Sequence, residues 1–327
     1  MKIIKIIRKC FKWCLPWGIV VITLRIREKL RRRAERRAQK NTKEDQQKDQ
    51  IVNYFLGLKR ENQNQEIIEI IDYIKKYGFS VFPYEFTRKY SAAVVNVFYD
   101  VSCKMCFVLH NNKKLYFPQT YSVETSQNYY IGLCLEQDEQ SPHRYETKEF
   151  TVQDGEVIAD IGAAEGIWAL NYAEKAKKIY LFECENHWIE ALKKTFEPWQ
   201  EKTVIVNKYI SNTNSGNKLS IDEFFKDKEI NFIKADIEGA ELELLEGGMD
   251  LLSNGMKNGL RGGGKLLLCA YHRYGDEQKL KEILENAGWT TEYSNRYMLF
   301  IYDEELKPPY IRRGLIRAVK NKEVQGF

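Results

Sequence analysis

Hydrophobic and polar positions divide the chain into stretches of different character. Residues Ile3 to Leu24 mix apolar side chains, Phe11, Trp13 and Trp17 among them, with Lys2, Lys5, Arg8, Lys9 and Lys12. The apolar run from Cys14 to Leu24 contains Pro16 and falls short of the roughly 20 residues that cross a bilayer. A dense block of arginines, Arg25 to Arg37, follows it, with no small-residue cleavage site between. Residues 1–40 are therefore read as a basic amphipathic N-terminal helix that lies on a membrane surface, not as a span or a signal peptide. Asn41 to Gln50 has no apolar residue and reads as a linker, 41–50. Next, Ile67, Ile68, Ile70, Ile71 and Ile74 recur at helical spacing within Gln65 to Tyr77, and Gly78 supplies a stop. Ala93 to Asp100, Lys104 to His110 and Lys113 to Phe117 are β-branched and aromatic runs, the last two joined by Asn111-Asn112, which tolerate a tight hairpin. These elements predict a small α/β accessory region over 51–150, a candidate for acceptor binding.

From Glu156 the pattern changes. Glu156–Ala163, Lys178–Cys184, Thr203–Ile210, Asn231–Glu238 and Lys265–His272 are apolar runs of strand length, separated by helical stretches or a long connection. This alternation predicts a parallel sheet covered on both faces, over 151–305, with 306–327 left as a C-terminal tail. Ligands of such sheets bind at the carboxyl ends of the strands.

Composition agrees with a globular body. Of 327 residues, 43% are hydrophobic and 13% aromatic, which excludes a disordered or low-complexity chain. The net charge of +5 conceals an asymmetry: residues 1–40 hold 14 Lys/Arg against Glu28 and Glu35, so the remainder is acidic. An acidic body argues against nucleic acid as a partner, whereas the basic segment suits an anionic membrane surface. The 7 cysteines, an odd and scattered set, point to a reducing, cytoplasmic compartment, with the chain peripheral on the inner face of the membrane. Cys103 and Cys106 fall in a run read as a strand, where residues three apart face opposite sides and do not chelate one ion.

Candidate chemistry lies at the strand ends. The first strand of the sheet closes on Asp160-Ile161-Gly162-Ala163-Ala164-Glu165-Gly166, and the second on Phe182-Glu183. Glycines at 162 and 166 allow a tight turn against a ligand, and Glu183 is placed to accept both hydroxyls of a ribose. The dinucleotide fingerprint G-x-G-x-x-G is absent, which disfavours a nicotinamide oxidoreductase. A carboxylate at Asp160 would repel a pyrophosphate but attract the amino group and sulfonium of S-adenosylmethionine. Asp236 and Glu238, at the end of the fourth strand, can orient a hydroxyl, act as a base or hold a divalent cation, although no third ligand is evident and metal is not favoured. A capping role for Glu238 on a helix starting at Gly239 is the structural alternative. His272, ending the fifth strand, is a candidate general base. His143 and Arg144, in the polar stretch Glu136 to Tyr145, are the alternative pair for acid–base work or acceptor binding.

Together, D-I-G-A-x-x-G, the acidic end of the second strand, Ser220-Ile221-Asp222-Glu223-Phe224 and Ile233-Lys234-Ala235-Asp236-Ile237-Glu238-Gly239-Ala240-Glu241 resemble the FkbM family of S-adenosylmethionine-dependent methyltransferases over about 150–303. Glu136-Gln137-Asp138 through Ser141-Pro142-His143-Arg144-Tyr145 also resembles family members with an extra N-terminal region, more loosely. The resemblance implies a Rossmann-like seven-stranded sheet and O-methyl transfer to a hydroxyl of a sugar or polyketide-like acceptor, here a glycan or glycolipid precursor. Asp160, Gly162, Ala163, Gly166, Glu183 and Asp236 are then the cofactor residues. His272, Asp236 and Glu238 are the catalytic candidates, and His143, Arg144, Tyr271 and Arg273 the acceptor-binding ones. A non-catalytic, cofactor-binding scaffold of the same fold is the alternative.

Overall fold

The computed structural model describes residues 45–58, 64–253, 264–301 and 306–320. The expected basic helix over 1–40 lies outside them. The chain divides into two compact units, one up to Gly78 and the other from Phe79 onward. In the first, residues 45–56 are helical. Ile51, Val52 and Phe55 supply its buried face, so most of the stretch expected as a linker is the polar opening of this helix. A second helix, Gln65–Tyr77, buries Ile67, Ile70, Ile71 and Ile74 at the expected spacing. Asn64 caps it, accepting from the Ile67 N–H, and Gly78 at φ +87° ends it.

The second unit opens with a three-stranded antiparallel sheet, β1 (Phe98–Asp100), β2 (Met105–His110) and β3 (Lys113–Tyr116). Asn111 and Asn112 take positive φ in the β2–β3 hairpin, as expected. Two details differ from the sequence reading. Residues 92–94 form a 3-10 turn, not strand, and 101–104 form a turn that separates Cys103 from the β2 residue Cys106. Both thiols are free.

After the helix Val123–Glu136 comes a seven-stranded sheet in the order β11-β14-β10-β9-β4-β5-β6. Its members are β4 (Val157–Ile161), β5 (Lys178–Phe182), β6 (Thr203–Val206), β9 (Phe232–Ala235), β10 (Gly264–Cys269), β11 (Thr290–Tyr293) and β14 (Leu315–Lys320). Two short pairs, β7 (Tyr209–Ile210) with β8 (Lys218–Leu219) and β12 (Tyr297–Leu299) with β13 (Ile311–Arg313), complete the strands described. Only β14 runs antiparallel to its neighbours in the large sheet. β4 and β9 are buried along their whole length, as expected of strands covered on both faces.

The boundaries expected at 150 and 306 do not hold in this unit. β2 and β3 share one hydrophobic core with Ile158, Trp168, Leu181 and Leu192 of the large sheet and its helices, so 79–150 is not a separate domain. The expected C-terminal tail contains β14, whose Leu315, Ile316 and Ala318 have no exposed surface. It is an interior strand of the sheet. The other face packs the helices Ile221–Phe225, Glu241–Glu246, Met249–Ser253 and Asp276–Asn286. Strand order reverses between β4 and β9, and the carboxyl ends of those two strands frame a cleft.

Candidate active site

β4 delivers Asp160 to this reversal point, and the chain turns at Gly162, φ +73°. A Cβ at 162 would lie 1.8 Å from the Asp236 carbonyl oxygen, so only glycine lets β4 and β9 end side by side. Gly166, φ +80°, opens the following helix, and a Cβ there would press on Phe196 and Leu192. Ala163 is buried in the same turn.

Two cavities of about 380 and 320 Å³ meet here, a size suited to small-molecule ligands, and Tyr129, Gly162, Ala164, Asp236 and Glu238 line both. One half runs past Phe182, Glu183, Trp188 and Ile210. The other is lined by Glu136, Tyr145, Asp160, Glu165, Trp168, Lys234 and Tyr271. In the first half Glu183 is held by its backbone: the Ala164 N–H donates to Oε2 at 2.8 Å and the Glu185 N–H to Oε1 at 2.7 Å. Those bonds fix the carboxylate and leave each oxygen a second lone pair for a ligand hydroxyl.

The second half is acidic. Glu136, Asp160, Glu165, Asp236 and Glu238 line it against the single cation Lys234. Lys234 sits in the buried middle of β9 and donates to Asp160 Oδ1 at 2.8 Å and to the Gly162 carbonyl at 3.1 Å. Burial acts against its charge, but Asp160 and Asp236 outweigh it and raise its pKa. Asp160, paired with Lys234, therefore does not by itself give the site the negative character that the sequence reading assigned to it; Asp236 carries it as well. The Oδ2 of Asp160 is buried without a hydrogen-bond partner.

Asp236 is the hub. Tyr145 donates to its Oδ2 at 2.8 Å, His143 Nε2 lies 3.7 Å from the same oxygen, and His272 Nε2 lies 3.4 Å from Oδ1. Burial would raise its pKa, yet Lys234, His143 and His272 hold it down to about 2. Burial also pushes Glu136 up to about 8, helped by Asp236, and Glu165 up to about 7. These two carboxyls thus titrate near neutral pH beside one that is ionised there.

The two histidines differ. Burial lowers His143 to about 4, so its ring is neutral, and its Nε2 lies 3.1 Å from the Tyr271 hydroxyl on the cleft wall. His272 is also penalised by burial, but its hydrogen bond to Glu241 and the nearby Asp236 and Glu238 raise its pKa. His272 Nδ1 donates to Glu241 Oε1 at 2.8 Å. It stands behind Asp236 and is not among the residues lining either cavity. Glu238, φ +52°, projects into solvent, and the next helix starts at Glu241, so Glu238 is not that helix's cap. Arg144 turns away, its Nε donating to the Glu146 carbonyl, and the exposed Arg273 packs over Gly239; neither lines the cleft.

Sequence reasoning missed Lys234, Tyr145, Glu165 and Glu241 as site residues. A lysine inside the apolar strand Phe232-Ile233-Lys234-Ala235 was a signal in plain view, because a buried cation demands a carboxylate partner.

No curated protein matches the chain. Among solved structures, methyltransferase FkbM of Methylobacillus flagellatus KT is 17% identical at a TM-score of 0.41, covering 62% of this chain and 56% of that one. This chain thus spans just over half of that protein's length. Precorrin-6y C5,15-methyltransferase of Geobacter metallireducens GS-15 is 16% identical at a TM-score of 0.34, covering 53% of this chain and 82% of that one. Aeropyrum pernix fibrillarin, solved with natively bound S-adenosyl-L-methionine, is 14% identical at a TM-score of 0.35, covering 58% and 74%. The family model for the methyltransferase FkbM domain matches residues 215–258, the stretch from β8 through Asp236 and Glu241 to the helix Met249–Ser253. Over that segment the chain matches the FkbM methyltransferases, the family its sequence motifs resemble.

Proposed function

We propose that the chain is an S-adenosylmethionine-dependent O-methyltransferase acting on a hydroxyl of a glycan or glycolipid precursor. The observation that carries this reading is one continuous cleft at the carboxyl ends of β4 and β9 that joins the anchored carboxylate Glu183 to an acidic chamber around Asp236. The residues fit the cofactor. Glu183 is placed to accept from ribose hydroxyls, the buried and unpartnered Asp160 Oδ2 is placed to accept from an amino group, and the carboxylates around Asp236 suit a sulfonium. When bound, the cofactor supplies an electrophilic methyl group.

The chain's own part is to hold the acceptor and take its proton. Asp236 and Glu238, which border both halves of the cleft, orient the acceptor hydroxyl. Tyr271 takes the hydroxyl proton onto its oxygen as its own proton passes to His143 Nε2, 3.1 Å away. The imidazolium so formed lies 3.7 Å from Asp236 Oδ2, and that ionised carboxylate stabilises it. His272 supports Asp236 from behind, so it is a positioning residue and not the base. Alignment of oxygen and methyl carbon in the cleft supplies much of the rate. The basic segment 1–40 adds an anionic membrane surface as a partner, in keeping with a lipid-linked acceptor.

Calorimetry with S-adenosylhomocysteine tests the cofactor, and transfer of labelled methyl groups into fractionated glycan and lipid pools tests the acceptor. Folded protein that fails to bind S-adenosylhomocysteine would refute the reading. Binding without transfer to any pool would favour the non-catalytic scaffold.

A further inference from the structure

Among the described residues, Tyr129 is the one aromatic side chain that borders both halves of the cleft. Tyr145, Trp168 and Tyr271 border only the acidic half, and Phe182, Trp188 and Tyr209 only the half that holds Glu183. Tyr129 comes from outside the seven-stranded sheet. The helix Val123–Glu136 lays Asn128, Tyr129, Gly132, Leu133 and Glu136 along the acidic half, a recurrence that marks one helix face. The ring is fixed on two sides. Its hydroxyl donates to Glu165 Oε2 at 3.0 Å, and Glu165 is buried. Its centroid lies 5.3 Å from that of Trp188, 5.7 Å from Tyr121 and 6.0 Å from Phe117. An aromatic face attracts a cation within about 6 Å of its centroid, most strongly where water is excluded.

The atoms of S-adenosylmethionine are joined in the order ribose, sulfonium sulfur, methyl. With the ribose at Glu183 and the methyl offered to the chamber of Asp236, the sulfonium belongs to the boundary between the two halves. The other side chains at that boundary are less suited to it: Ala164 offers only a methyl group, Asp236 is engaged by Tyr145 at 2.8 Å, and Glu238 projects into solvent. We propose that the ring face of Tyr129 recognises the sulfonium charge and so sets the preference of the site for S-adenosylmethionine over S-adenosylhomocysteine. The inference rests on the cofactor assignment above and adds to it a residue that no strand-end motif contains. Substrate and product differ at the sulfur by one methyl group and one charge, so the product lacks the contact that held the substrate. That loss favours product release.

The test measures the affinity of the full-length chain for S-adenosylmethionine and for S-adenosylhomocysteine by calorimetry, without acceptor, and takes the ratio. Position 129 carries tyrosine, phenylalanine or phenylalanine with progressively more ring fluorine. Fluorine drains electron density from the ring face while nearly keeping its shape, so the series separates attraction for a cation from packing. The preference for S-adenosylmethionine should fall stepwise from Tyr129→Phe to the most fluorinated ring, by about 5- to 30-fold in all, the size of a desolvated cation–π contact. Affinity for S-adenosylhomocysteine should stay nearly constant. Tyr129→Leu should show the same loss of preference, and the fluorinated series decides the matter if that variant does not fold. A preference that stays flat along the series overturns the proposal, as does an equal fall in affinity for both ligands. Folded wild-type chain that binds neither ligand overturns the cofactor assignment and this inference with it, whereas binding of both with a flat series overturns this inference alone.

Discussion

Lys234 carries a cation into the buried middle of β9, where Asp160 meets it at 2.8 Å. Removing one member of such a pair leaves the other charge buried and alone, which costs about 3–5 kcal/mol. Lys234→Met should lower stability by that amount in chemical denaturation, and the double variant Asp160→Asn/Lys234→Met should recover part of the loss. A single substitution costing under about 1 kcal/mol would mean that water reaches the pair. Glu165 offers a pH test. Burial pushes its carboxyl up to about 7, and Tyr129 donates to it at 3.0 Å. The unfolded chain loses this proton near the ordinary glutamate value of about 4.3, so between there and 7 the folded state binds more protons. Its contribution to stability is therefore present at acidic pH and is lost as pH rises toward 7. Glu165→Gln should match the wild type near pH 4 and exceed it in thermal midpoint above pH 7. If the two curves run parallel, Glu165 ionises at an ordinary pH. The same titration should make the preference for S-adenosylmethionine over S-adenosylhomocysteine, which lacks the sulfonium charge, grow with pH in the wild type and stay flat in the variant.

At the scale of elements, β14 is the least expected part of the molecule. Removing residues 311–327 takes away β13 and β14, leaving β10 and β11 without the strand that joins them. That truncated chain should not fold cooperatively, and circular dichroism melting checks it; a sharp transition would show that the sheet closes without β14. Alternation located β4, β5, β6, β9 and β10 because each is an apolar run bounded by polar or glycine-rich stretches. β14 escaped because Arg317 interrupts Leu315-Ile316-Arg317-Ala318-Val319, and one charge in the run reads as surface. In the folded chain Arg317 is buried, with Nε donating to the Tyr145 carbonyl at 3.0 Å and a terminal amino group to the Arg144 carbonyl. Those acceptors lie more than 170 residues away, so no local pattern announces them. The candidate site was legible in the same uneven way. Asp160, Gly162, Glu183 and Asp236 stand at strand ends where motif spacing placed them, while Tyr145 and Glu241 reach the site through packing that spacing does not encode.

At the scale of the whole molecule, charge is divided along the chain, with 14 Lys/Arg against two acidic residues in 1–40 and an acidic remainder. A chain lacking residues 1–44 should keep S-adenosylhomocysteine binding and lose sedimentation with anionic vesicles at low salt. Full-length chain should release from those vesicles as salt rises, because attraction to the surface is screened over about 8–10 Å at physiological ionic strength. Full-length chain that stays in the supernatant at low salt would refute the membrane partner. The place of β14 has a further bearing on how the protein is made. Domains tend to fold as they leave the ribosome, N-terminal parts first. Here a strand in the interior of the sheet is supplied from residues 315–320, the last strand described in the sequence. Until those residues are synthesised and free to move, β10 presents an open apolar edge to solvent, where it can pair with another chain. A nascent chain halted before residue 315 should therefore be held by chaperones and cut readily by protease, and emergence of residues 315–320 should be the event that seals it.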